Sequence, residues 1–441
     1  MSKVKHYKDL LRLGLPIMVG QLGVIVLGFA DTMMVGRCGT EELAAAGFVN
    51  NLFNLVIVFS TGFSYGLTPL VGSLYGRNDD NGIASALKNS ICVNALVSIT
   101  LCLFMALLYL NLHRLGQPEE LLPLIRPYFL VLLLSLIPVL IFNAFKQFSE
   151  GINDTMTPMC ILIGGNILNI VGNWLLIFGN CGFPEMGLLG AGLATLTSRI
   201  VMLAGFILVF FLSTRYGRYR KAFSEVRLES EMKRQLFRLG MPVGLQMGME
   251  TASFSLSTVM VGWIGTVALA AHQVMMTVGQ LGFMMYYGMA AAVAVKVSNY
   301  IGEENKLEVR AVAGSGFRII LVMAAVTSLC ILISRNMIGY VFSDSREVAV
   351  LVAQIVIPFV LYQFGDGLQC NYSNALRGIS DVKMLTVYAF VAYFLISLPA
   401  AYLFAFVFDM GLFGIWLSFP FGLTSAGLLF RYRFVSTLSR I

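Results

Sequence analysis

Hydrophobic residues along this chain fall in long blocks separated by short polar connections. Apolar stretches lie near 13–35, 43–74, 84–110, 123–147, 157–178, 187–212, 239–262, 267–297, 311–333, 347–374, 382–407 and 411–430. At about 1.5 Å of rise per residue, each is long enough as a helix to cross a hydrocarbon core of about 30 Å. The pattern predicts an all-α polytopic membrane protein with twelve transmembrane helices. The N-terminal run resembles a signal peptide in its early lysines (Lys3, Lys5, Lys8). It continues to Val35, contains Asp31 and has no small-residue cleavage site after it, so it reads as the first span.

The halves repeat one another. Residues 12–45 align with 238–271 at an offset of 226 without gaps, and thirteen of 34 positions are identical. Roughly two to four identities would arise by chance. "RLGLP" meets "RLGMP", "TMMVG" meets "TVMVG", Gly76 meets Gly302, and at an offset of 227 "EGIND" (150–154) meets "RGISD" (377–381). Six spans per half give two parallel six-helix lobes, an architecture of secondary transporters. The expected lobes are 1–212 and 239–441, joined by a cytoplasmic linker at 213–238.

Composition narrows the class. The 441 residues are 58% hydrophobic and only 12% charged, about half the charge of a soluble domain. The net charge of +7 is concentrated between spans. With the N-terminus placed inside, inner segments hold 23 Lys and Arg and outer loops hold five (Arg37, Arg114, Arg126, Arg335, Arg346). That asymmetry places both termini in the cytoplasm. The basic run from Arg215 to Arg238 is therefore a loop feature, and no nucleic-acid partner is expected. The seven cysteines form no CxxC motif and the three histidines no HExxH, while GxxxxGK[ST] and GxSxG are absent. The reading is of a non-enzyme without a cofactor.

Candidate chemistry lies in the few acids placed where charge is expensive. Glu250 stands 12 residues beyond Arg238 and Asp366 stands 11 before Arg377. Both fall about 16–18 Å from the inner anchors, near mid-membrane. Gln246, Glu250, Ser253 and Ser257 form a polar stripe on one helix face, and Tyr362, Asp366, Gln369 and Ser373 repeat that spacing. Oxygen-rich faces of this kind suit Na⁺ at Glu250 and Asp366, or a proton carried by a buried carboxyl. In the first half, Asp31, the amide face Asn166, Asn169 and Asn173, and Thr195 suit a substrate- or proton-linked site. Arg199 falls near the depth of Asp31, and two outcomes stay open for it: a pair with Asp31, or snorkelling to a backbone carbonyl or the interface. Gln246, Gln280, Met247 and Tyr286 are candidate cavity-lining residues, in a Met-rich region suited to varied lipophilic cations.

The motifs "RLGLPIMVGQ", "GFADTMMVG", "SEGINDTMTP", "LNIVGNW", "PVGLQMGME", "ALAAHQV", "YQFGDGLQ" and "ALRGISD" together resemble the multidrug and toxic-compound extrusion (MATE) transporters, in particular the NorM-like branch. The resemblance covers nearly the whole chain. It implies an antiporter of the bacterial inner membrane that exports small organic cations against Na⁺ or H⁺. It further implies that Glu250, Asp366 and Tyr362 hold the coupling cation and that Asp31 serves proton coupling or substrate exchange. The chain departs from that pattern at Asn173, which is Asp in some relatives and cannot titrate as Asn, and at Arg199. Membrane lipids are expected partners of a monomer. A flippase for lipid-linked or other amphiphilic metabolites on a related scaffold is the alternative, with a channel or receptor as a further class.

Overall fold

The computed structural model describes residues 3–114 and 119–440. Among them there is no β-strand. Twelve long helices occupy the twelve apolar stretches. In the first half they are α1 (Lys3–Gly36), α2 (Thr40–Gly76), α3 (Asp80–Leu110), α4 (Leu122–Gly151), α5 (Met156–Leu176) and α6 (Gly187–Leu212). In the second they are α7 (Ser230–Ile264), α8 (Thr266–Gly302), α9 (Lys306–Phe342), α10 (Arg346–Gly378), α11 (Lys383–Val407) and α12 (Gly411–Leu438). Eleven of the described helices are long and apolar enough to cross a membrane. The exception is α7, where Gln246, Glu250, Thr251, Ser253, Ser255, Ser257 and Thr258 interrupt the apolar run. The protein is an all-α polytopic membrane protein.

The repeat in the sequence is also a repeat in the backbone. Asn78 and Glu304, 226 residues apart, both take left-handed φ (57° and 58°) in the connections that follow α2 and α8. The next residues cap the helices that follow. The Asp79 side chain accepts from Gly82 N at 2.8 Å, and that of Asn305 accepts from Glu308 N at 3.3 Å, each satisfying a donor that helix geometry leaves open. Asn153 and Ser380, 227 apart, are left-handed after α4 and α10 (φ 64° and 60°).

The chain forms two compact units, Val19–Gly244 and Met1–Met18 with Leu245–Ile441. The two boundaries are themselves 226 residues apart, and each falls inside a long helix, α1 or α7. Close glycine contacts explain why the helix starts leave their own halves. In the first unit a Cβ on Gly240 would sit 2.4 Å from Phe63 O, and one on Gly66 would sit 2.5 Å from Gly240 N. In the second unit a Cβ on Gly14 would sit 2.8 Å from Met289 Sδ. Gly14 and Met289 are the repeat equivalents of Gly240 and Phe63. Small residues let membrane helices approach this closely and gain dispersion along the contact.

The segment between α6 and α7 packs within the first unit. It carries a short helix, Gly217–Glu225. Tyr216 and Tyr219 are buried there, and both rings lie within 6 Å of Phe148. Lys88 Nζ donates to Phe223 O at 3.2 Å and to Val226 O at 2.7 Å, and Glu229 N donates to Asn89 Oδ1 at 2.9 Å. Asp154 accepts from Tyr216 Oη at 2.6 Å and from Thr157 Oγ1 at 2.7 Å, with Arg215 Nη1 at 3.1 Å. In the second unit Asp381, equivalent to Asp154, takes Arg433 Nε at 2.6 Å, Arg433 Nη2 at 3.1 Å and Thr437 Oγ1 at 2.6 Å. Fully buried Trp416 anchors the apolar interior of that unit against Phe359, Tyr362 and Phe419.

Candidate functional site

The second unit gathers the polar residues of α7 and α10. Glu250 Oε2 accepts from Gln246 Nε2 at 3.2 Å, one turn back on its own helix, and from Gln369 Nε2 at 3.1 Å, across on α10. Gln369 Nε2 also donates to Tyr393 Oη at 2.8 Å. Tyr393 stands in α11 where Val391–Ser397 winds with the wider π spacing, a local feature that re-aims side chains at functional positions. Asp366 is 1% exposed and feels the charge of Glu250. The thiol of Cys370 lies 3.6 Å from Asp366 Oδ1. Three buried oxygens here accept no hydrogen bond: Asp366 Oδ2, Gln246 Oε1 and Gln369 Oε1. Among the described residues no group of three or more His, Cys, Asp or Glu is placed to hold a metal ion.

The other residues expected in this half are spread around that cluster. Tyr362 is buried among the rings of Phe254, Phe359, Trp416 and Phe419. Tyr286 is fully buried and donates to Gln363 Oε1, with Thr327 Oγ1 2.8 Å from each. Met247 is half-buried beside Gln246, and Gln280 is exposed on α8. Gln363, Thr327, Cys370 and Tyr393 escaped the sequence reading. Gln363 falls outside the i, i+4, i+7 stripe on which that reading relied, and Tyr393 has no polar periodicity around it.

The first unit holds a second polar cluster. Asn173 Nδ2 donates to Asp31 Oδ1 and lies 3.1 Å from Asn169 Oδ1. Asn169 Nδ2 in turn lies 3.2 Å from Thr195 Oγ1 and 3.4 Å from Ser198 Oγ. A continuous chain thus runs from α1 through α5 to α6. The ion pair open to Arg199 with Asp31 is not made. Arg199 Nη1 instead donates to Ser135 Oγ on α4 at 2.6 Å, a partner that depth along one helix cannot reveal. Near it Tyr128 Oη donates to Asn50 Oδ1 at 3.0 Å.

Comparison with known proteins agrees with this architecture. The sequence model of the MatE family matches residues 16–175 and again 242–403, once in each half. The probable multidrug resistance protein NorM of Photorhabdus laumondii is 30% identical over 435 residues, covering 97% of this chain and 95% of that protein. The multidrug resistance protein NorM of Photobacterium profundum is 26% identical over 437 residues, with the same shares covered. Among solved structures, a MATE protein crystallised in the bent conformation superposes with a TM-score of 0.89 at 20% identity, covering 100% of this chain and 99% of that one. With twelve long helices, a doubled family match and near full-length relatives, the chain belongs to the MatE family of membrane transporters.

Proposed function

We propose that this protein is a secondary exporter of organic cations in the bacterial plasma membrane, working by antiport against Na⁺ or H⁺ with access alternating between the two faces. The observation that carries the reading is the set of orphaned acceptors around Glu250. Asp366 Oδ2, Gln246 Oε1 and Gln369 Oε1 are buried without donors. An unsatisfied buried acceptor costs about 1–3 kcal/mol. All three offer lone pairs beside the two carboxyls of Glu250 and Asp366, a donor set that suits a cation: Na⁺ through several oxygens, or H⁺ on a carboxylate. An anion would meet only repulsion. The names of the NorM relatives, multidrug resistance proteins, agree with a broad range of substrates.

Coupling follows from competition. A cation held between Glu250 and Asp366 neutralises the charge that would otherwise attract a cationic substrate, so the two exclude one another. The membrane potential supplies about 2.3 kcal/mol per charge per 100 mV. A swap of one Na⁺ for one monovalent organic cation moves no net charge, so the ion's concentration gradient alone drives that exchange.

The test is dye efflux from membrane vesicles under separately imposed Na⁺ and H⁺ gradients. Efflux that follows one gradient, and is lost in Glu250→Gln, supports the proposal. Efflux in Glu250→Gln equal to wild type would refute the role of Glu250.

A further inference from the structure

The second unit carries three arginines that coupling at Glu250 and Asp366 does not use. Arg310 and Arg318 stand on α9 and Arg431 on α12, and all three are exposed. Arg318 falls inside the apolar run 311–333, where a charge is expensive. Both α9 and α12 pack against α10, and Tyr372 of α10 is 8% exposed. Its ring centroid is 5.8 Å from that of Phe317 on α9 and 6.0 Å from that of Phe434 on α12. The Arg431 guanidinium carbon stands 6.0 Å from the centroid of the same tyrosine ring. Tyr372 feels the charges of Arg310, Arg318 and Arg431 together.

Little within the protein answers this charge. Arg318 Nη1 donates to a neutral hydroxyl, Tyr7 Oη in the first turns of α1, at 3.3 Å, and Arg431 has an aromatic face as its partner. Two acids near the same helix ends are committed elsewhere: Glu308 lies 2.7 Å from His6 Nε2, and Asp381 takes Arg433 Nε at 2.6 Å. Among the described residues none of the three arginines forms an ion pair. Each therefore keeps N–H donors for an outside acceptor, in a fork that matches the oxygens of a phosphate. Apolar side chains flank the charges. Leu321 and Leu428 are exposed, each three residues from Arg318 or Arg431 and so on the same helix face. Free phosphate would gain from the arginines alone. A phosphate that carries acyl chains gains from the leucines as well.

We infer that the surface where α9, α10 and α12 meet binds an anionic phospholipid, with Arg310, Arg318 and Arg431 holding its headgroup phosphate and Leu321 and Leu428 lying along its acyl chains. Basic pockets between membrane helices on the cytoplasmic side recognise such headgroups. The depth agrees. Tyr372 stands six residues before the end of α10 and Arg431 seven before the end of α12, about 9–11 Å along each helix. With both termini inside, that level is the headgroup edge of the inner leaflet. The inference rests on the membrane-spanning architecture and is independent of what the protein exports and of the ion that drives it.

The probes are dioleoylphosphatidylglycerol, which is anionic, dioleoylphosphatidylcholine, which is zwitterionic with the same acyl chains, and inorganic phosphate. Bound lipid is counted by native mass spectrometry on the delipidated full-length protein as each lipid is titrated in detergent. Wild type should bind the anionic lipid about tenfold more tightly than the zwitterionic one, because each arginine near a membrane surface adds attraction for anionic lipid. Replacing Arg310, Arg318 and Arg431 together by Gln should erase that preference, and Arg431→Gln alone should lower it about twofold. Replacing Lys221, Arg227 and Arg234 by Gln instead, three exposed basic residues of the first unit, should leave it intact. The inference is overturned if wild type shows no preference, if the α9 and α12 variants keep it in full, or if the first-unit variant loses it equally. Displacement of the bound lipid by millimolar inorganic phosphate would assign the arginines to free phosphate and overturn the lipid as their ligand.

Discussion

Gln369 Nε2 donates to Glu250 Oε2 at 3.1 Å, joining α10 to α7 through the one carboxylate oxygen that Gln246 also reaches. Replacing Gln369 by Leu removes this donor and one of the orphaned acceptors together. The expected result is a rise of about tenfold in the ion concentration that half-saturates efflux, equivalent to about 1.4 kcal/mol. Titrating Na⁺ and H⁺ in the vesicle assay checks it, and an unchanged midpoint for both ions would place Gln369 outside the coupling site.

The repeat-equivalent glycines Gly240 and Gly14 should respond unequally to alanine. The atom facing Gly240 is a backbone carbonyl, Phe63 O, which cannot yield without moving α2. The atoms nearest Gly14 are the mobile end of Met289. Overpacking a close helix contact costs about 1–3 kcal/mol, so Gly240→Ala should lower the melting temperature in detergent clearly and Gly14→Ala only slightly. Equal shifts in a thermal unfolding assay would contradict the asymmetry.

Tyr216 gives the segment after α6 a dependence on alkaline pH. Burial, reinforced by the Asp154 carboxylate that its hydroxyl donates to, pushes the Tyr216 hydroxyl above the ordinary tyrosine value of about 10. In a group raised in this way, the unfolded chain loses its proton first. The contribution is thus fully present below about pH 10 and declines as pH climbs toward the folded value. Melting curves from pH 8 to 11 should fall more steeply for wild type than for Tyr216→Phe. Parallel curves would remove Tyr216 as the cause.

Orientation can be read from one exposed thiol. Cys181 lies in the connection between α5 and α6 and is exposed. With both termini inside, that connection faces outward. In a Cys38→Ser background, which removes the half-buried thiol of the other outward connection, a membrane-impermeant maleimide should label the protein purified from intact cells, and Cys181→Ser should abolish that signal. Labelling of Cys181 only in everted membranes would reverse the assigned topology.

The sequence alone determined the number of helices, their approximate limits and the doubling of the chain. Hydrophobic blocks of membrane length leave the backbone no alternative to helix, since every N–H and C=O must be satisfied within the segment. It also marked Glu250, Asp366 and Asp31, because charge inside an apolar run is conspicuous in one dimension. Periodicity grouped Gln246 with Glu250 and Gln369 with Asp366, as neighbours three or four residues apart share a helix face. Tertiary structure decided which face meets which. It set Gln369 against Glu250, brought Tyr393 in from α11, gave Arg199 to Ser135 and left Asp31 to Asn173. It also moved the unit boundaries into α1 and α7, through contacts at Gly14 and Gly240. Spacing along one helix carries no information about the rotation or approach of another; those depend on packing between side chains distant in sequence, where a missing Cβ or a single hydroxyl is enough to choose the partner.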